Sequence, residues 1–189
     1  MNQPNIFRTA DRNEWRQWLS ENFRTEKEIW LVFPMKAAGE DSISYNDAVE
    51  EALCFGWIDS TIRKMDDAHR MQRFTPRKNF GYYSQLNIER LRSLRDEGKI
   101  HSSVIEGVSE FIDREFVFPE DIMNEITGNE EAYRNFVGYS DGYKRIRVAY
   151  IDAARNRPEE FRKRLDHFVR MCEKGKVIRG QAGAEKYYY

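Results

Sequence analysis

The chain is poor in cysteine. Cys54 and Cys172 are its two cysteines, far apart, with no CxxC and no His or Cys at metal-ligand spacing beside either. This excludes a disulfide framework and a zinc site of the usual spacing, and it predicts two buried, reduced thiols. Long apolar runs are missing too. No stretch approaches the roughly 20 residues of a membrane span, and the opening "MNQPNIFRTADR" has no apolar core of a secretory signal. An excess of one charge is also lacking: 31 Lys and Arg stand against 32 Asp and Glu, for a net charge of -1. Bulk charge therefore favours no nucleic-acid partner and no membrane partner. There is no Gly-rich phosphate loop, no GxSxG, no HExxH, no internal repeat and no low-complexity linker. The expectation is a cytoplasmic globular protein with no cofactor.

What is present is a core and solubility together. Hydrophobic residues make up 40%, aromatics 14% and charged residues 33% of 189 positions. A chain of this length buries about 70% of its unfolded surface. In "TADRNEWRQWLSENF", Thr9 reads as an N-cap, and Trp15, Trp18, Leu19 and Phe23 recur at helical spacing. Ile29–Phe33 reads as a buried strand. In "SYNDAVEEALCFG", Ser44 caps a helix with Asp47 at its third position, and Gly56 fits the left-handed residue that ends it. Trp57–Met65 and His69–Phe74 read as two strands joined at Asp66-Asp67. A loop of two or four residues puts Ile58, Ile62 and Met71 on a core-facing side. Trp57, Asp59, Thr61, Arg63, Arg70 and Gln72 then share a polar side. A three-residue loop would break that assignment.

Past "TPRKNFGYY" the pattern is helical. Ile88, Leu91 and Leu94 precede a stop at Gly98, and Pro119 opens "PEDIMNEI". Tyr143, Ile146, Arg147, Tyr150, Ile151 and Ala154 recur at 3-4 spacing, as do Phe161, Leu165, Phe168, Val169 and Cys172. "GQAGAEKYYY" reads as a mobile tail. The fold class expected is α+β: a small antiparallel sheet with packed helices over residues 1–98, then an all-helical lobe over 99–180 and a tail over 181–189.

Charge is distributed in blocks. Bases dominate from Arg63 to Arg95, acids from Asp96 to Asp141, and bases again from Lys144, with "RKR" at Arg162–Arg164. These are either solvated faces that balance one another or a basic groove. His69, His101 and His167 are isolated. The candidate site is the polar hairpin face with the segment after it. Arg73, Arg77 and Lys78 supply positive charge, Tyr82 and Tyr83 supply amphipathic rings, and Ser84 caps the next helix. Trp57 and Asp59 stand where the hairpin begins. Antiparallel return places Asp59 near Arg73 and Arg77, and an ion pair between them is expected.

The runs "EEALCFGWIDSTIRKMDDAHRMQRFTPRK" and "YYSQLNIERLRSLRDEGKI" resemble the bacterial YdeI/OmpD-associated family, also called the bacteriocin-protection family. The segment from "FPEDIMNEI" to "FRKRLDHFVRMCEKGK" is similar to the helical module that defines it. Tyr83 stands where the family commonly has Trp, and Lys78-Asn79-Phe80-Gly81 replaces its Arg-Pro-Lys-Ser stretch. The resemblance implies association with an outer-membrane porin or protection from bacteriocins, and it brings no catalytic residue or cofactor. Three functions follow as expectations. One is a binding or stress-protection protein with an anion-accepting site at the hairpin and TPRK loop. The second is an enzyme on a small anionic substrate with Asp59 as general base. The third is a protein-interaction module using a basic helical face.

Overall fold

A computed structural model describes residues 5–78, 81–179 and 184–187. The chain forms two compact units. The first comprises residues 1–83 and 90–112, and the second comprises 84–89 and 113–189. The division expected at residue 98 falls inside the first unit.

The first unit carries a four-stranded sheet of order β1-β2-β4-β3, from β1 (Ile6–Phe7), β2 (Ile29–Pro34), β3 (Trp57–Lys64) and β4 (His69–Pro76). The three longer strands are antiparallel, as expected from sequence. The sheet is nevertheless mixed, because β1 joins β2 in parallel. Two residues are too short to show a strand pattern, so β1 exists through its partner. Helices α1 (Arg12–Asn22) and α2 (Tyr45–Cys54) cover one face. Trp15 of α1 meets Phe74 of β4 edge-on at 5.3 Å, Trp18 stacks on Trp15 at 5.4 Å, and Trp57 meets Trp18 edge-on at 5.8 Å. The Trp15 indole N–H donates to the Ala48 carbonyl at 3.0 Å, which satisfies the polar end of a buried ring.

The caps explain the helix starts. Ser44 accepts from the Asp47 N–H, as expected. The cap of α1 is Asp11, which accepts from the Asn13 N–H, and not Thr9. Thr9 instead accepts from the Asp11 N–H, two residues further out. Gly56, at φ +72°, ends α2 in the left-handed region.

The hairpin departs from its expected facing. Met65 N–H donates to the His69 carbonyl, leaving Asp66, Asp67 and Ala68 as a three-residue loop. A bulge follows: Asp59 pairs with Phe74 and Ile62 with Gln72, so three steps on β3 match two on β4. The face bearing Trp57, Gln72 and Phe74 packs inward, and all three are buried. The side of Ile58, Ile62 and Met71 assigned to the core is not one face, and Ile62 is 61% exposed. The extra residue transfers Ile62 to the face of Gln72, beyond the cover of the helices.

Helix α3 (Gln85–Asp96) carries the chain from Glu89 to Arg90, where the two units divide, and α4 (Ser102–Asp113) belongs to the first unit apart from its last residue. The second unit is built on α5 (Glu120–Thr127), α6 (Glu130–Gly138), α7 (Asp141–Asp152) and α8 (Pro158–Glu173). Ile122, Ile126, Phe136, Tyr143, Ile151, Leu165 and Phe168 form its core. Pro119 sits at the N-cap of α5, one residue before the position expected. The tail expected to be mobile is partly packed: Ala184 is buried, and Ser140 donates its hydroxyl to the Tyr187 carbonyl. Residues 180–183 and 188–189 of that tail lie outside the described residues.

Candidate functional site

The predicted site residues divide among three places. The Trp57 ring is buried, and its indole N–H donates to the Phe23 carbonyl at 3.1 Å. The Arg77 N–H donates to the Gly56 carbonyl at 2.9 Å, so the segment after β4 is tied to the end of α2. Asp59 is half-buried and accepts from the Tyr45 hydroxyl at 2.7 Å and from the Gln72 amide at 3.3 Å. Burial, with the Asp59 carboxylate beside it, pushes the Tyr45 phenol well above its usual range.

The expected pair of Asp59 with Arg73 or Arg77 does not form. Asp59 is paired in register with Phe74, so Arg73 projects from the other face of the sheet. There Arg73 donates to Glu28, with an Nε contact of 2.9 Å, and holds that carboxyl below its usual range. On the same face the Arg63 guanidinium lies over the Trp30 ring at 4.8 Å. Arg77 donates to the Tyr82 carbonyl and lies 3.8 Å over the Tyr83 ring. Tyr83 is buried against Phe111, while Tyr82 and Lys78 are exposed. Ser84 accepts from the Asn87 N–H at 3.4 Å and opens α3. Of the predicted set, Trp57 and Arg77 come together at a recess of about 300 Å³, floored by Phe23, Phe55 and Val104.

A larger cavity, about 480 Å³, lies within the helical unit. Helix periodicity builds two of its walls. Arg147, Tyr150 and Ile151 stand at i, i+3 and i+4 on α7; Glu160, Lys163, Arg164, His167 and Phe168 follow the same rule on α8. The third wall is Ile178 and Arg179, after Gly175 turns the chain at φ +62°. That wall is pinned from inside. The Ile178 N–H donates to the Tyr143 hydroxyl at 2.7 Å, and the Ile178 carbonyl accepts from Arg147.

The cavity charge is one-sided. Among the described residues that line it, Glu160 is the single carboxylate, and Arg164 bonds it at 2.8 Å and holds it below its usual range. Arg164 also donates to the Tyr150 carbonyl at 2.7 Å and lies 3.8 Å over that ring. Lys163 and Arg179 make no ion pair among the described residues. Arg147, Ile151 and Phe168 are buried at the floor, and Tyr150, Lys163, His167 and Arg179 are exposed at the rim.

The "RKR" run was legible as charge, but not its division. Lys163 and Arg164 face the cavity, whereas Arg162 turns to Glu125 and Asp166. Arg147 belongs by its periodicity to an apolar helix face; its guanidinium is the part that sequence could not place. The other histidines have structural settings. His69 bridges Asp66 and Glu40, and His101 accepts from the Ser103 N–H at the start of α4. Among the described residues no cluster of His, Cys, Asp and Glu is arranged to hold a metal, and no helix is long and apolar enough to cross a membrane.

Fold and cavity define an α+β protein with a sheet-bearing unit and a separate helical unit. Residues 7–107 match the family described as a domain of unknown function, DUF8412, and since the match spans more than half of the chain, the chain belongs to that family. Residues 115–175 match the family described as Bacteriocin-protection, YdeI or OmpD-Associated, so the helical unit carries the module that the sequence resemblance indicated. The CFGWID and RFTPR runs fall in the first match, outside that module. No curated protein and no solved structure matches the chain.

Proposed function

We propose that this chain is a cytoplasmic binding protein for an anionic small molecule, and that the cavity between α7 and α8 is where the anion is held. The observation that carries the reading is the charge of that cavity: Lys163, Arg164, Arg179 and Arg147 line it, with Glu160 the one acid. Guanidinium and ammonium groups are the side chains that bind carboxylate and phosphate. The volume suits a small molecule, for which pockets run from roughly 300 to 1,000 Å³. Eight of the ten lining residues fall inside the YdeI/OmpD-associated match, from Arg147 to Phe168. The hairpin and TPRK segment expected to hold the anion supports the reading less. Arg73 is matched by Glu28, and Arg77 is engaged with Tyr82 and Tyr83. Asp59 has two donors on its carboxylate already, which gives a general-base role no support. The outer face of α8 is paired through Arg162, which favours the cavity over a basic docking face.

The test is calorimetric titration of the full chain with phosphate, acetate and octanoate, repeated on Lys163→Glu/Arg179→Glu. At least one anion should bind the native chain, and the double reversal should weaken it tenfold or more with the circular dichroism unchanged. Equal binding by both proteins, or no binding at all, overturns the proposal.

A further inference from the structure

We infer that the occupant of the α7–α8 cavity is an amphipathic acid, with an anionic head at the rim and a hydrocarbon body on the floor. This rests on the anion-binding reading above and adds the class of molecule. The cavity is graded in polarity from mouth to base. Its base is the buried side chains of Ile151 and Phe168 with half-buried Ile178, and its mouth carries Lys163, His167 and Arg179. An inorganic anion would occupy a small part of 480 Å³ and leave that apolar floor wetted.

The floor has one charged group, Arg147, and its position does not favour a deep anion. Its guanidinium donates to the Ile178 carbonyl and lies 5.4 Å from the Tyr143 ring. Arg147 therefore acts as a positioning residue: with Tyr143 it fixes both backbone groups of Ile178, which sets the Ile178 side chain on the floor and Arg179 at the mouth. Polyphosphate is disfavoured by the same geometry. The first turn of α8, which a phosphate would approach for its free N–H groups, carries Glu159 and Glu160. A carboxylate head at the mouth carries less charge and meets Lys163 and Arg179, while Glu160 beside them is already bonded by Arg164.

The experiment compares acetate, hexanoate, octanoate and inorganic phosphate on three proteins: the native chain, Lys163→Glu/Arg179→Glu, and Ile178→Ser. Burial of each methylene is worth about fourfold in affinity, so octanoate should bind the native chain at least tenfold tighter than acetate. Ile178→Ser should reduce that gain while leaving acetate unchanged, and the charge reversal should weaken every acid. Ile178→Ala, which keeps both backbone bonds, substitutes if the serine variant fails to fold. Phosphate binding tighter than octanoate, or acetate and octanoate binding equally, with the charge reversal still abolishing both, overturns the amphipathic class and leaves the anion reading standing. Octanoate binding that ignores the charge reversal, or no binding by any of the four anions, overturns both.

Discussion

The two units differ in where their cations are matched. In the sheet unit, cations are spent on joining elements. Arg12 of α1 reaches Asp47, Glu50 and Glu51 of α2, and Arg16 bonds Glu51 at 2.6 Å and the Lys99 carbonyl at 2.8 Å. Glu51 is buried, at 2% exposure, and its charge is tolerable there because two guanidiniums meet it. In the helical unit, pairing is common, as in Arg145–Glu89, Arg155–Asp121 and, at the cavity wall, Arg164–Glu160, but Lys163 and Arg179 of that wall make no ion pair among the described residues. Number of charges is thus a poor guide to a site. In the basic segment after the hairpin, Arg73 and Arg77 are already engaged, with Glu28 and with Tyr82 and Tyr83.

The largest effect that would sharpen this contrast is in the α1–α2 cluster. Arg12→Met with Arg16→Met leaves Glu51 buried without a partner, and should cost about 3 kcal/mol or more in urea unfolding. A loss under 1 kcal/mol would break the claim that these arginines are structural.

A smaller, pH-dependent effect is expected at the hairpin tip. His69 lies with Nε2 3.0 Å from Glu40 and Nδ1 2.8 Å from Asp66. Those carboxylates, Glu40 first, raise the imidazole above its usual range, and His69 holds Asp66 below its own. A raised histidine contributes stability that is full below its unfolded value, about 6.5, and is lost as pH rises through the folded value. A lowered aspartate contributes above its unfolded value, about 3.9, and loses it as pH falls through the folded one. The clasp is therefore strongest between about pH 4 and 6.5. The difference in Tm between the native chain and His69→Gln should be largest there and shrink toward pH 8. A difference independent of pH would remove the clasp from the account.

The smallest expected effect is at the cavity. Lys163→Met and Arg179→Met, which break no ion pair among the described residues, should each leave stability within about 0.5 kcal/mol of native. A larger loss would place these cations in the frame of the fold and end the contrast between the units.

Much of the frame was legible because it follows from local periodicity. The long strands, the Ser44 cap, the Gly56 stop and the buried, reduced state of Cys54 and Cys172 are properties of short windows, and both thiols are indeed buried and raised by burial, to about 11 and about 12. Strand β1 was not legible, because two residues carry no period. The facing of the hairpin was not either, because one bulge residue reverses it and no composition marks a bulge. The Asp59–arginine pair failed for a separate reason: nearness along antiparallel strands says nothing of face, and adjacent register puts Phe74, not Arg73, beside Asp59.

Sequence by itself determined that Arg147, Tyr150 and Ile151 would share a helix side, and that Arg162–Arg164 would be a run of bases on the next helix. It also determined the family module they belong to. Tertiary structure decided that these two faces look at one another, that Ile178 is clamped by Tyr143 and Arg147 as a third wall, and which bases keep an acid. The reason is range. Periodicity and capping act within a few residues, whereas the pairing of a charge depends on what packing brings within a few ångströms of it from elsewhere in the chain.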